Sequence, residues 1–73
     1  MTENEVFERL QRAIERRFGV SSLPFSLTLR SEGFGAKCWR MTDLESGSWI
    51  ESTIYSATRR IYIHREHDGA TTQ

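Results

Sequence analysis

The densest group of chemically versatile side chains lies near the C-terminal end. Four potential ligands for zinc or nickel stand close together there: His64, Glu66, His67 and Asp68. His64 and His67, separated by two residues, could be the first two ligands, but the rest of the sequence supplies no third or fourth ligand at a recognisable metal-site spacing. We therefore expect a polar strand end that continues into a flexible tail, with no metal site and no bound cofactor.

Cys38 is the single cysteine, and it could act as a nucleophile if His64 on a neighbouring strand served as its base. Thiolate catalysis also requires a positioned oxyanion hole and an enclosed pocket, which a sheet covered by one helix hardly offers. Gly33-Phe34-Gly35 lacks a following helix and a lysine–serine pair, so it predicts a turn and not a phosphate-binding loop. We expect a protein that is not an enzyme.

The residue types best suited to binding are arginines interleaved with aromatic side chains. Lys37 is the only lysine among ten basic residues. Arginine binds carboxylates and phosphates in bidentate fashion and stacks on aromatic rings, so it suits interfaces better than lysine does. A GC-rich genome would produce the same preference for arginine over lysine, and this alternative stays open.

An N-terminal helix is the clearest element that could position these residues. Thr2 and Glu5 have the spacing of a capping box, and Gly19 suits a left-handed helix stop. Apolar residues recur between them at helical intervals: Phe7, Leu10, Ile14 and Phe18. The pattern predicts a helix over residues 3–18.

Strands are predicted after Pro24. Apolar residues from Leu23 to Leu29 alternate with polar ones, which indicates a half-buried strand, and a second strand is predicted over residues 36–43. Residues 49–65 allow two interpretations. Their β-branched and aromatic side chains favour a hairpin that turns near residues 56–58, although that turn has no glycine. A capping box at Ser48 and Glu51 would instead begin a helix over residues 49–60.

Together these elements predict an α+β fold, with the N-terminal helix packed on one face of a small antiparallel sheet of three to four strands. The domain is expected to span residues 1–65, followed by a flexible tail over residues 66–73. One helix can cover only one face of the sheet. Alternation places arginines and aromatic side chains on the other face, and these are the predicted binding residues: Arg30, Arg40, Trp49, Tyr55, Arg60, Tyr62 and His64. Cross-strand pairing without any partner would also account for them.

Charge and length narrow the classes of partner. Ten acidic and ten basic side chains give a net charge of zero, which disfavours nucleic acid without excluding it. A chain of 73 residues holds one domain of marginal stability, and a single cysteine excludes an internal disulfide, so self-association is a further possibility. No apolar run approaches the roughly 20 residues that span a bilayer, and the first residues do not match a signal peptide. We therefore expect a cytoplasmic protein without a membrane partner.

In size and layout the chain resembles small bacteriophage-encoded proteins that bind and redirect host machinery, such as RNA polymerase or a defence nuclease. The resemblance covers the whole chain and rests on no shared motif, so it assigns no residue a role. It implies a small regulator that binds a larger protein and modulates it. The alternatives are a nucleic-acid-binding module that uses the open sheet face and a homo-oligomeric structural protein.

Overall fold

One helix and four strands follow one another along the chain in a computed structural model that describes residues 1–19 and 24–69. They are α1 (Glu3–Phe18), β1 (Phe25–Gly33), β2 (Ala36–Asp43), β3 (Trp49–Tyr55) and β4 (Ile61–His67). The strands form one antiparallel sheet in the order β1-β2-β3-β4, and α1 packs against β2 and β3. The predicted α+β class is confirmed. The described part holds no helix long and apolar enough to cross a membrane.

Both ends of α1 are capped by the residues that the sequence indicated. The Thr2 N–H donates to Glu5 Oε1 at 2.8 Å, and the Glu5 N–H donates to Thr2 Oγ1 at 3.2 Å. The hydrogen bond from the Thr2 backbone, followed by that from its side chain, holds the pKa of Glu5 below its ordinary value. At the other end Gly19 adopts a left-handed φ of 67°, and its N–H donates to the Glu15 carbonyl at 2.8 Å.

The hairpins at the two ends of the sheet each contain a non-glycine residue with positive φ. Phe34 and Gly35 join β1 to β2 with φ values of 55° and 74°, the positive pair that a type I′ turn requires. In the β3–β4 hairpin the left-handed position belongs to Arg59, at a φ of 58°, whose N–H donates to the Tyr55 carbonyl at 2.7 Å. Arg59 thus takes the left-handed position for which the sequence analysis found no glycine. The strand interpretation of residues 49–65 is confirmed, and the alternative helix over residues 49–60 is wrong.

The core lies between α1 and the two central strands. Its buried apolar side chains come from one stripe of the helix and from one face of the sheet: Val6, Leu10, Ile14, Phe25, Trp39, Met41, Ile50 and Ile54. The edge strand β1 extends past the helix, so Leu29 stays 40% exposed although it points to the helix side. The helix therefore covers the middle of one sheet face, and it leaves the other face open.

The folded part continues beyond residue 65. Glu66 and His67 pair with Ile50 and Trp49, so β4 includes the first two residues of the predicted tail. The Gly69 N–H then donates to Ser48 Oγ at 3.0 Å. The expected domain end at residue 65 differs from this. Residues 66–69 have few apolar side chains to bury, but hydrogen bonds to β3 and to Ser48 hold them in place. Residues 70–73 of the predicted tail, and Leu23 of the predicted first strand, lie outside the described residues.

Candidate binding face

The sheet face opposite α1 is called the open face here. Strand alternation and cross-strand register assign to it the side chains that point away from the buried apolar set. No helix covers it in the part of the chain that the structure describes. Its larger side chains are Arg30, Cys38, Arg40, Trp49, Glu51, Tyr55, Tyr62, His64, Arg65 and His67.

Glu51 stands at the centre of the open face and gathers three arginines around its carboxylate. Its side chain is only 6% exposed. Arg40 donates to Oε2 through Nε at 3.2 Å and through Nη2 at 2.9 Å. Arg30 Nε lies 3.5 Å from the same oxygen, and Arg65 Nη1 lies 3.6 Å from Oε1. Arginines from β1, β2 and β4 thus converge on one carboxylate of β3, and these four residues are called the arginine cluster.

Trp49 fixes the cluster on one side. The Arg40 guanidinium lies 4.0 Å from the centre of the indole ring, and the Arg65 guanidinium lies 5.9 Å away. His67 stacks on the same ring, with centroids 6.0 Å apart and planes inclined by 27°. Cation–π contacts of this kind contribute about 0.5–1 kcal/mol each at exposed sites. The indole is therefore in contact with side chains from both neighbouring strands, and Arg40 is held by a carboxylate and by a ring.

A β-bulge lies at or next to each outer arginine: Arg30 faces the open side by simple alternation after Leu29, whereas Arg65 reaches it only because of a bulge. The β1–β2 register shifts between Leu29 and Ser31, which leaves Arg30 as the extra residue. The β3–β4 register shifts where His64 is the extra residue, so Arg65 joins the open face opposite Glu51. Glu66 consequently faces the helix side, where its Oε1 accepts from Arg17 Nη1 at 2.6 Å.

The other predicted binding residues lie around the cluster. Tyr55 and Tyr62 meet edge to face at 5.7 Å, and both are close to half exposed. His64 Nε2 lies 3.7 Å from Cys38 Sγ. Arg60 is exposed and lies in the β3–β4 connection before the first residue of β4, so it is not part of a strand. The structure thus brings Arg30, Arg40 and Trp49 together and places the tyrosine pair and His64 farther along the same face.

The cysteine and histidine that could form a nucleophile–base pair are in contact, although β3 separates their strands. An open hollow of about 260 Å³ lies beside Cys38, lined by Ser31, Phe34 and Thr53 among others. Within residues 1–19 and 24–69, no group of three or more histidine, cysteine, aspartate or glutamate side chains could hold a metal ion. That the chain is not an enzyme stays a prediction.

Positive charge is concentrated in the arginine cluster. In the arginine cluster three guanidinium groups face one carboxylate, which leaves a formal charge of +2. The whole chain has a net charge of zero with histidine neutral, so the remaining residues together carry −2. The zero sum therefore conceals a positive centre on the open face.

The binding residues predicted from the sequence did not include Glu51, Arg65 or His67. A single acidic residue among arginines on one predicted face is the signal that could have identified Glu51. No comparable signal marks Arg65 or His67, because their position depends on the bulge at His64. Comparisons of the chain with protein-family models, with curated proteins and with solved structures found no match.

Proposed function

We propose that this chain is a small non-enzymatic regulator that binds a larger protein through its open face. The observation that carries the proposal is the arginine cluster, which lies with Trp49 on a sheet face that α1 does not cover. Arginine, tryptophan and tyrosine are the residue types that dominate binding hot spots, because they combine large contact area with directional polar groups.

Arg40, the central arginine of the cluster, is ordered before any partner arrives. Glu51 and Trp49 hold Arg40 in one position, which leaves its side chain 25% exposed. Ordering a free side chain at an interface costs about 0.5–1.5 kcal/mol. Because this cost is already met in the free protein, a partner gains more from contact with the open face than it would from loose surface arginines.

The contacts that already occupy the Trp49 ring favour a protein partner over single-stranded nucleic acid. Modules that bind single strands stack bases on available aromatic rings. Here the indole is in contact with Arg40 and stacked with His67, so a base would have to displace one of them. A protein surface needs no free ring and no net positive charge on the whole chain.

Nucleic acid remains the second candidate because the open face has local positive charge and the Tyr55–Tyr62 pair is half exposed. Binding of this class falls steeply as salt concentration rises, since phosphate contacts release counterions. Salt dependence together with nuclease treatment separates the two candidates.

The test begins with affinity capture from bacterial lysate, with and without nuclease, and continues with direct titration of the purified captured protein. RNA polymerase and a defence nuclease, the partners that the resemblance implies, are tested in purified form alongside it. Trp49→Ala and Tyr62→Ala are expected to weaken binding about tenfold or more, as truncation of a hot-spot residue does. Arg12→Ala, on the exposed outer face of α1, is the control and is expected to bind like the unmodified protein.

Thermal melting of each variant shows whether the domain stays folded. Unchanged affinity in both open-face variants, measured on folded protein, would refute the proposed surface. Capture that disappears with nuclease would assign the face to nucleic acid.

A further inference from the structure

We infer that the open face recognises an acidic segment of its protein partner, with Arg30 and Arg65 binding the partner's carboxylates. The inference rests on the proposed function and specifies the chemistry of the partner. It follows from the way in which the three arginines share Glu51.

The three guanidinium groups differ in how closely they contact Glu51. Arg40 gives two N–H groups to Glu51 Oε2 within hydrogen-bond distance and is mostly buried. Arg30 and Arg65 approach Glu51 only at 3.5 Å and 3.6 Å, beyond the usual hydrogen-bond range of about 2.7–3.2 Å. Their side chains are 50% and 65% exposed. Because a guanidinium has five N–H donors, both residues keep donors directed to solvent.

Charge complementarity identifies what these donors would bind. One carboxylate neutralises one of the three positive charges, so the cluster lacks two negative charges. Two carboxylates from a partner would complete the neutralisation, one at each exposed guanidinium. Arginine and carboxylate form paired, charge-assisted hydrogen bonds in a fixed geometry, which gives the contact direction as well as strength.

Glu51 makes such a site possible. Three like charges at this spacing would repel one another without a central anion, and the buried carboxylate holds them together. The same residue cannot neutralise all three, so the positive charge remains at the surface.

The Tyr55–Tyr62 pair indicates which side chain should accompany the carboxylates in the partner's acidic segment. Glu51, Thr53 and Tyr55 follow one another at alternate positions of β3, and Tyr62 lies opposite Thr53. The half-exposed tyrosine rings therefore begin about 7 Å from the cluster along the strand, two residues at about 3.4 Å each. An acidic segment with an apolar side chain next to its carboxylates would contact both regions.

The experiment is an NMR titration of isotope-labelled protein with a short oligoglutamate peptide, followed through backbone and arginine Nε resonances. Shifts are expected at Arg30 and Arg65, with affinity that decreases as salt is added. Arg30→Gln and Arg65→Gln should each weaken the interaction by roughly three- to fivefold, the size of one exposed ion pair. Arg12→Gln removes an equally exposed charge from α1 and should change affinity little.

Two results would overturn the inference. One is an oligoglutamate response spread evenly over the arginines of α1. The other is a response of the cluster to an oligothymidylate of equal length and none to oligoglutamate, which would indicate phosphate recognition.

The captured partner separates this inference from the proposed function. If Tyr62→Ala weakens its binding while Arg30→Gln and Arg65→Gln do not, the binding face stands and the acidic segment is refuted. If neither these three variants nor Trp49→Ala weakens it, both proposals fail together. Melting curves are recorded for each variant, so that loss of binding is compared only among folded proteins.

Discussion

Replacement of Phe34 by asparagine is expected to stabilise the domain. Phe34 is the first of the two central residues in the β1–β2 turn and has a φ of 55°. Its ring is fully exposed. A bulky L-residue with positive φ is a backbone outlier, and no burial of the ring offsets the conformational cost.

The magnitude follows from that geometry. The left-handed conformation costs an ordinary L-residue roughly 1–2 kcal/mol, and asparagine tolerates it better through local hydrogen bonds. Phe34→Asn creates Asn-Gly, the sequence preferred in type I′ hairpins. Because a fully exposed ring contributes no packing, we expect a gain of about 1 kcal/mol in the free energy of unfolding, or about 4–8 °C in Tm for a domain of this size.

Urea denaturation and thermal melting of Phe34→Asn and Phe34→Ser measure this effect. Serine also removes the ring but has less preference for the left-handed region, so the difference between the two variants isolates the backbone contribution. Phe34→Ser is expected within about 0.5 kcal/mol of the unmodified protein, as for surface substitutions in general. Equal stability of the two variants would refute the argument from φ, and a destabilised Phe34→Asn would show that the ring has a structural role.

Two further predictions concern the ends of the chain. Glu5 has a folded-state pKa below its ordinary value of 4.5, so its contribution to stability is present above pH 4.5 and is lost as pH falls through the folded-state pKa. Glu5→Gln should make stability less dependent on pH in that acidic range. Plots of unfolding free energy against pH that run parallel for the variant and the unmodified protein would contradict this. A Cβ on Gly69 would collide with the Ser46 carbonyl oxygen and lie 2.9 Å from the Ser48 nitrogen. Gly69→Ala should therefore displace this end from the loop, lower stability by about 1 kcal/mol through the lost hydrogen bond to Ser48 and speed amide exchange there. Gly33→Ala, where an added Cβ meets nothing within 4 Å, is the matched control, and equal exchange in the two variants would refute the contact.

Local patterns predicted the elements of this fold because each has a local physical cause. The capping box at Thr2 and the left-handed stop at Gly19 depend on residues close in sequence, so the limits of α1 could be predicted from them. The strand interpretation of residues 49–65 was harder, because the expected turn glycine is absent and Arg59 takes the left-handed position instead. Arginine has no local conformational preference that would predict a left-handed turn position.

The candidate site was only partly predictable, because alternation assumes an unbroken period of two. The bulge at His64 inserts one residue and reverses the orientation of everything that follows in β4. Arg65 therefore joins Glu51 on the open face, and Glu66 meets Arg17 on the other. Whether an extra residue is accommodated depends on neighbouring strands and on packing with the helix, and neither can be read from a single segment. A position before the bulge, such as Tyr62, was assigned to the correct face.

The positions of Arg30 and Arg65 allow a binding role for the arginine cluster to be distinguished from surface stabilisation. Exposed ion pairs contribute about 0–1 kcal/mol each. Of the three arginines, Arg40 alone donates hydrogen bonds to Glu51, and its guanidinium also lies 4.0 Å from the centre of the Trp49 ring. Arg30 and Arg65 stay beyond hydrogen-bond distance of Glu51 and add repulsion between like charges. They therefore add little to the stability of the free domain, while they provide exposed donors above a rigid centre. If stability alone explained the cluster, Arg30→Gln and Arg65→Gln would destabilise the domain as Arg40→Gln does. If binding explains it, only Arg40→Gln should lower Tm, and the two outer substitutions should affect affinity alone.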